Sequence, residues 1–305
     1  MAPAFIDHWP ITERPELTWP GGRSLAVYVG LNIETFEEGR PATSVIPPTA
    51  GLPLDPANHA WRDYGSRVGV WRTVELLDEL GIKASALINS DVCHRRPEIV
   101  RAGVERNWCW VAHGISNSSF WSDIELEQER RALSEIFATL AEATGRAPRG
   151  WLGPAFTETP DTPRLLAELG ARYLLDWCCD DQPFPLDIEP GPMISVPYSP
   201  EVNDIPIFID RCLTGPDFER ILLDQFEVMR AQSVRRPGAV MAIGLHPFVI
   251  GQPFRHKYLE RALRQIVAHD DVWFATTDEI ADWYLGHEAH AAATAALADR
   301  KAARA

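Results

Sequence analysis

The chain has 305 residues, 46% of them hydrophobic and 24% charged, enough to bury one large core in a single domain. Its 43 acidic against 29 basic residues leave a formal charge of -14, which argues against a nucleic-acid partner, because phosphate-backbone binding needs clustered Lys and Arg. No segment approaches the roughly 20 uninterrupted apolar residues of a membrane span. Residues 1–20 carry acid and proline rather than a basic, then apolar, leader, and the five cysteines are scattered without a C-x-x-C pair. The expectation is a cytoplasmic protein with no membrane partner.

Residues 1–24, rich in proline and tryptophan without periodicity, read as an extended N-terminal arm. A mostly apolar run over 24–33 predicts a buried strand that ends in Glu34. Over 40–61 prolines 41, 47, 48, 53 and 56 crowd together, which predicts a long functional loop or lid with no helix. Ser66 is placed to cap a helix whose Val70, Val74, Leu77 and Leu80 share one face and which Gly81 stops. A strand over 83–89, a helix over 97–105, a strand over 108–112 and a turn-rich stretch over 113–120 follow. The longest helix is expected over 123–144, with Leu126, Leu133, Ile136, Phe137 and Leu140 on its buried side. The alternation continues with 150–152, a helix over 162–169, a strand over 172–175, a loop over 176–190 and a strand over 193–196. A helix over 217–232, a strand over 239–245, a helix over 257–269, a strand over 272–275 and a helix over 278–285 complete it. About eight such units imply an α/β fold, a parallel sheet flanked by helices in a closed or nearly closed (β/α) barrel over 25–285. The C-terminal tail, 286–305, is Ala-rich and compatible with a helix, but shows no core-facing stripe.

Four polar clusters fall just after predicted strands, where such a barrel gathers catalytic groups. They are Asn32-Ile-Glu34, His113 to Asn117, Asp176 to Asp181, and Gly244-Leu-His246. Strand alternation puts Asn32 and Glu34 on one face, where Glu34 can be a general base, a metal ligand or simply a helix cap. Gly114 lets the chain turn after His113, and Pro247 ends strand pairing after His246; each histidine is also compatible with a purely structural place. Asp180 and Asp181 are a turn signal or a substrate-binding pair. Trp151, beside candidate pocket residues, can wall a small planar ligand or fill the core. Sequence motifs of serine hydrolases, P-loop proteins and zincins are absent.

The strings Asn32-Ile-Glu-Thr-Phe-Glu-Glu-Gly39, Ala112-His-Gly-Ile-Ser-Asn117, Pro148-Arg-Gly-Trp-Leu-Gly-Pro154 and Ile243-Gly-Leu-His-Pro247 resemble the serial motifs of the polysaccharide deacetylase (NodB-homology) superfamily. The segments 162–176 followed by 180–183, 196–204 and 245–255 are similar to its allantoinase-like branch. The resemblance spans about 25–285 and implies a deformed (β/α) barrel of the NodB-homology type that hydrolyses carbon–nitrogen bonds other than peptide bonds. The expected substrate is a small cyclic amide, imide or ureide. In metal-using members the first motif carries an acidic base and an acidic ligand, and the second two histidines three residues apart; the matching residues here are Asn32 and Glu34, then His113 and Asn117. Asn117 offers only a neutral carbonyl, so the resemblance implies catalysis without a metal, with one divalent ion such as zinc on Glu34 and His113 as the alternative. It further implies that Glu34 activates water, that His246 protonates the leaving nitrogen, and that His113 with Asn117 polarises the carbonyl. By the same resemblance Arg149 orients an active-site carboxylate, and Arg255 is placed to clamp an anionic or carbonyl-rich substrate. Two other readings stay open, a metal-dependent deacetylase of N-acetyl sugars and a catalytically inactive binding member. These folds often pair, so a homo-oligomer is expected, its arm reaching a neighbour.

Overall fold

The computed structural model describes residues 5–302 except Pro41. The first four residues of the expected arm, Pro41 of the proline-rich loop and the last three residues of the tail lie outside the described residues.

Strand β1 (Leu25–Ile33) is buried along all nine residues and organises the sheet. On one edge β8 (Ala239–Leu245) pairs with it in parallel from Leu25 to Leu31. The other edge is shared: β9 (Val272–Phe274) takes Leu25 to Val27, and β2 (Ala84–Ile88) takes Val29 to Ile33. Beyond β2 come β3 (Cys109–Ala112), β4 (Gly150–Trp151), β5 (Tyr173–Leu174) and β7 (Met193–Ser195), all parallel, and β6 (Phe184–Leu186) pairs antiparallel with β7 at the far end. The sheet does not close by strand pairing. Segments between strands bridge the seam instead: Gly244 N–H donates to Val202 O (3.0 Å) and Val240 N–H to Asp181 O (2.8 Å). The result is an α/β fold, a deformed (β/α) barrel.

The helices are α1 (Pro56–Tyr64), α2 (Val70–Leu80), α3 (Ser90–Arg95), α4 (Pro97–Glu105), α5 (Leu126–Thr144), α6 (Thr162–Glu168), α7 (Gly215–Ser233), α8 (Pro247–Ile250), α9 (Pro253–Val267), α10 (Thr277–Gly286) and α11 (Glu288–Ala302). Those expected from periodicity are present, with ends that differ by a few residues. Helix α1 overturns the expectation that prolines keep 40–61 free of helix. Pro56 is its first residue, where a missing N–H costs nothing, and Asp55 accepts the N–H of Asn58 ahead of it. Ser66 is not a cap; it lies in a π-helical turn, Gly65–Gly69, that joins α1 to α2. β6 and α3 were not expected either, being too short to show a period.

At the N-terminal end of the strands the arm is packed rather than loose. Trp19 is fully buried, its Nε1–H donates to Ala239 O (2.9 Å), and its ring lies 5.5 Å from that of Trp273. The tail helix α11 buries Ala289 and Ala293, and pairs Arg300 with Glu13 and Lys301 with Asp187. Its core-facing side is alanine, too weak a stripe to stand out in the sequence.

The π turn sits directly against the segment after β8. A Cβ on Gly69 would lie 2.0 Å from Pro247 O, and one on Gly65 2.7 Å from Phe248 N. Only glycine permits this approach, which seats the chain immediately beyond His246. Gly69→Ala is therefore expected to cost about 1–3 kcal/mol of stability by overpacking, read as a lower urea midpoint with an unchanged m-value.

Candidate active site

At the C-terminal ends of β1, β3, β4 and β8 lies a cavity of about 270 Å³. Asn32, Glu34, His113, Asn117 and His246 line it, with Phe36, Phe120, Phe156 and Tyr198 as aromatic walls. Each polar group arrives by local rules. Asn32 in β1 and Glu34, the residue just beyond its end, are two residues apart and emerge on one side. Gly114, at a φ of +68°, turns the chain after His113, and a Cβ there would meet the Pro154 ring at 2.6 Å. Pro247 starts α8 and leaves His246 at the strand terminus. Ala42 and Thr43 of the proline-rich segment roof the cavity, held through Asn58, whose amide bonds Ile46 on both backbone atoms (2.8 and 2.9 Å).

Glu34 is the centre of the arrangement. Its Oε1 lies 2.5 Å from Asn117 Nδ2, 3.3 Å from His113 Nε2 and 3.5 Å from His246 Nε2. Oε2 is buried and has no hydrogen-bond partner among the described residues. Burial alone pushes this carboxyl up, but the charge of His246 and hydrogen bonds from both histidines outweigh it and hold the group at about 2. The far nitrogens of both rings are engaged as well. His113 Nδ1–H donates to Leu152 O (2.6 Å), and His246 Nδ1–H to Asp204 Oδ1 (2.6 Å), whose other oxygen accepts the backbone N–H of His246 (2.8 Å). Burial lowers His246, yet Glu34 and Asp204 carry it up to about 10. Asp204 is fully buried, and desolvation shifts it upward against the pull of His246.

A chain of amides decides which end of Asn117 faces Glu34. The backbone N–H of Thr35 donates to Asn89 Oδ1 (2.9 Å), so Asn89 Nδ2 points to Asn117 Oδ1 (3.0 Å) and to His113 O. Asn117 must then turn its NH₂ toward Glu34. That orientation bears on metal binding: at the position matching a ligand histidine the side chain presents donors, and its oxygen is already used by Asn89. Among the described residues no group of three or more His, Cys, Asp or Glu side chains is placed to hold a metal ion. The residues do not fit a metal centre built on Glu34 and His113.

The other expected site residues are divided. Asn32 lines the cavity and donates to Tyr198 Oη (3.0 Å) and Leu245 O (3.2 Å). Trp151 lies in the core, edge-on to Trp121 at 5.5 Å, and does not wall the cavity. Arg149 precedes β4, so it sits at the opposite end of the barrel, paired with Asp282 of α10 (2.8 Å). Asp180 pairs with Arg14 of the arm, and it and Asp181 border a separate cavity of about 850 Å³ between the arm and β8. That cavity is the larger, yet the grouped acid and bases belong to the smaller one. Arg255 is half-buried behind the site, its guanidinium 4.7 Å from the Phe208 ring centre, and it does not line the cavity. Missed from the sequence were Asp204 and Asn89. A buried histidine used for proton transfer calls for a partner on its second nitrogen, but nothing in the spacing said which acid supplies it.

No family model matches the chain. A Schizosaccharomyces pombe protein named "Putative polysaccharide deacetylase" is 28% identical, over 74% of this chain and 75% of that one. Among solved structures, Puue allantoinase superposes with a TM-score of 0.80 at 29% identity, covering 90% of this chain and 95% of the other. A "probable Polysaccharide deacetylase" from Pseudomonas aeruginosa PAO1 does so with a TM-score of 0.78, also at 29% identity over 90% of this chain and 95% of the other. In sequence and fold the chain is thus similar to polysaccharide deacetylases and to an allantoinase, consistent with the polysaccharide deacetylase (NodB-homology) superfamily. An enzyme of the deacetylase or amidohydrolase type is the class these relatives define.

The Asp204–His246 pair has a direct test. Asp204→Asn removes a charge that raises His246, so the His246 titration, followed by NMR, is expected to fall by more than one pH unit from about 10. An unmoved titration is the contrary result.

Proposed function

We propose that the protein hydrolyses a carbon–nitrogen bond in a small cyclic amide, imide or ureide, without a metal. The observation that carries this reading is the convergence of His113, Asn117 and His246 on one oxygen of buried Glu34 inside a cavity of about 270 Å³. Glu34 takes the proton of an attacking water through its unpartnered oxygen. His246, protonated and oriented by Asp204, donates to the leaving nitrogen, and His113 with Asn117 polarises the carbonyl. Both nitrogens of His113 face acceptors, Leu152 O and Glu34, which hold the ring in place. A carboxylate held at about 2 is a weak base at rest. A substrate carbonyl that draws the donors from Oε1 removes the interactions that hold it low, so basicity rises as the substrate seats.

The lining includes no Lys or Arg among the described residues, and its carboxylates are Glu34 and Asp210. That supports a neutral ring as substrate better than an anion, and the cavity size suits a small ring better than a polysaccharide chain. A second reading, deacetylation of an N-acetyl sugar, rests on the names of the S. pombe and P. aeruginosa relatives. No helix of the described residues is long and apolar enough to cross a membrane; cytoplasmic location and a homo-oligomer remain part of the proposal.

The deciding experiment assays the purified protein, with and without chelator, against cyclic ureides, imides and N-acetyl sugars. Ureide or imide turnover that survives chelator supports the first reading; activity confined to N-acetyl sugars and restored by zinc replaces it with the second. Glu34→Gln and His246→Asn should each lower kcat by about 10²–10⁴-fold, and the double variant by less than the product of the two. Activity should rise as Glu34 ionises near 2 and fall as His246 loses its proton near 10. Near-wild-type turnover in Glu34→Gln removes the carboxylate from the mechanism.

A further inference from the structure

The peptide group between Leu152 and Gly153 is engaged at both ends. Its oxygen accepts His113 Nδ1–H (2.6 Å), and its N–H donates to Asp176 Oδ1 (2.7 Å). His113 follows β3 and Asp176 follows β5, with β4 between them, so one planar amide links two strand ends across a third. The remaining oxygen of Asp176, Oδ2, is buried with no hydrogen-bond partner, and so is Glu158 Oε2. The groups acting on Glu158 are Asp176, the Trp177 indole N–H, which lowers it, and, from α5, Glu129, itself bonded by the hydroxyls of Thr159 and Thr162. Asp176 also faces Cys178, and no basic side chain acts on either carboxyl among the described residues. Burial pushes Asp176 up to about 7, and burial followed by the charge of Asp176 pushes Glu158 up to about 9.

We propose that Asp176 is a positioning residue for His113, acting through the Leu152–Gly153 peptide, whose N–H it accepts. An ionised acceptor on the peptide N–H polarises the amide and makes its oxygen a stronger acceptor, which tightens the hold on the Nδ1–H of His113. The same hydrogen bond anchors the loop that follows. Gly153, Ala155 and Phe156 line the catalytic cavity, and Ala155 and Phe156 both have positive φ (54° and 58°), a conformation that needs an external hold. With Asp176 protonated the acceptor is neutral and its hold on the peptide weakens; the ionised form is the working state.

The inference deepens the proposed function, on which it rests for its effect on rate, but its test needs no substrate. The full chain, labelled with ¹⁵N in histidine and ¹³C in carboxyl groups, is titrated by NMR from pH 5 to 10, the His113 signals being identified by their loss in His113→Gln. The His113 Nδ1 resonance is expected to shift as Asp176 ionises, across pH 7. Asp176→Asn, which keeps an acceptor for Gly153 N–H but cannot ionise, should flatten that response. A His113 profile identical in wild type and Asp176→Asn overturns the proposal. Should Asp176→Asn fail to fold, the wild-type protein decides: a His113 Nδ1 shift that follows the Asp176 carboxyl titration supports the proposal, and an Asp176 titration that leaves the His113 resonance unmoved overturns it. Neither result bears on Glu34→Gln turnover, so this inference and the proposed function fail separately.

Discussion

A buried carboxylate has to be compensated, and that requirement at Glu34 organises the catalytic end of the barrel. Desolvation is the largest influence on this group, and it opposes the charge. Compensation comes from three donors on two other chain segments, His113 and Asn117 after β3 and His246 after β8. For all of them to reach one oxygen, the ends of β1, β3 and β8 must converge, which a curled sheet with β1 near its middle allows and a flat one does not. The paired edges of β1 and the glycine turn against Pro247 serve the same convergence, since they set where His246 enters.

Each donor is in turn held by a group that faces away from Glu34. Asp204 takes the second nitrogen of His246, Leu152 O that of His113, and Asn89 the oxygen of Asn117. Two of these supports end on backbone atoms, which cannot swing away: Asn89 is read by the Thr35 N–H, and the Leu152 carbonyl is part of the chain after β4. The outer ring therefore fixes tautomers and amide orientations as well as positions. An amide replaces the second histidine of the metal-using pattern without leaving a void, because its NH₂ gives Glu34 a donor where a cation would otherwise compensate the charge.

Much of this was legible in the sequence. Glu34, His113 and His246 each follow an apolar run and precede a turn-forming residue, and parallel strands deliver such positions to one end. Asn117 was readable from its spacing to His113. Arg149 was misread because it precedes its strand; in a parallel sheet that puts it at the far end, a distinction blurred when the strand is two residues long. Asp180 and Asp181 follow a strand, but the chain turns back there into antiparallel β6, and so they finish beside the arm. Asp204 lies outside regular secondary structure, where no period marks an inward side chain, and its role appears only when the fold brings His246, 42 positions further along the chain, to it.

The hydrogen bonds that compensate Glu34 leave a base that is too weak at rest. The donors that make burial of Glu34 tolerable also keep it ionised far below neutral pH, and a general base works best when its affinity for a proton is near that of its surroundings. The cavity resolves this conflict only if the compensating donors have a second acceptor to serve. In the proposed mechanism a carbonyl oxygen held by His113 and Asn117 is such an acceptor. As charge builds on it these donors turn from Glu34 to the substrate, and the carboxylate regains basicity when the attacking water must lose its proton. On that proposal, electrostatic compensation in the resting state and transition-state stabilisation draw on the same groups.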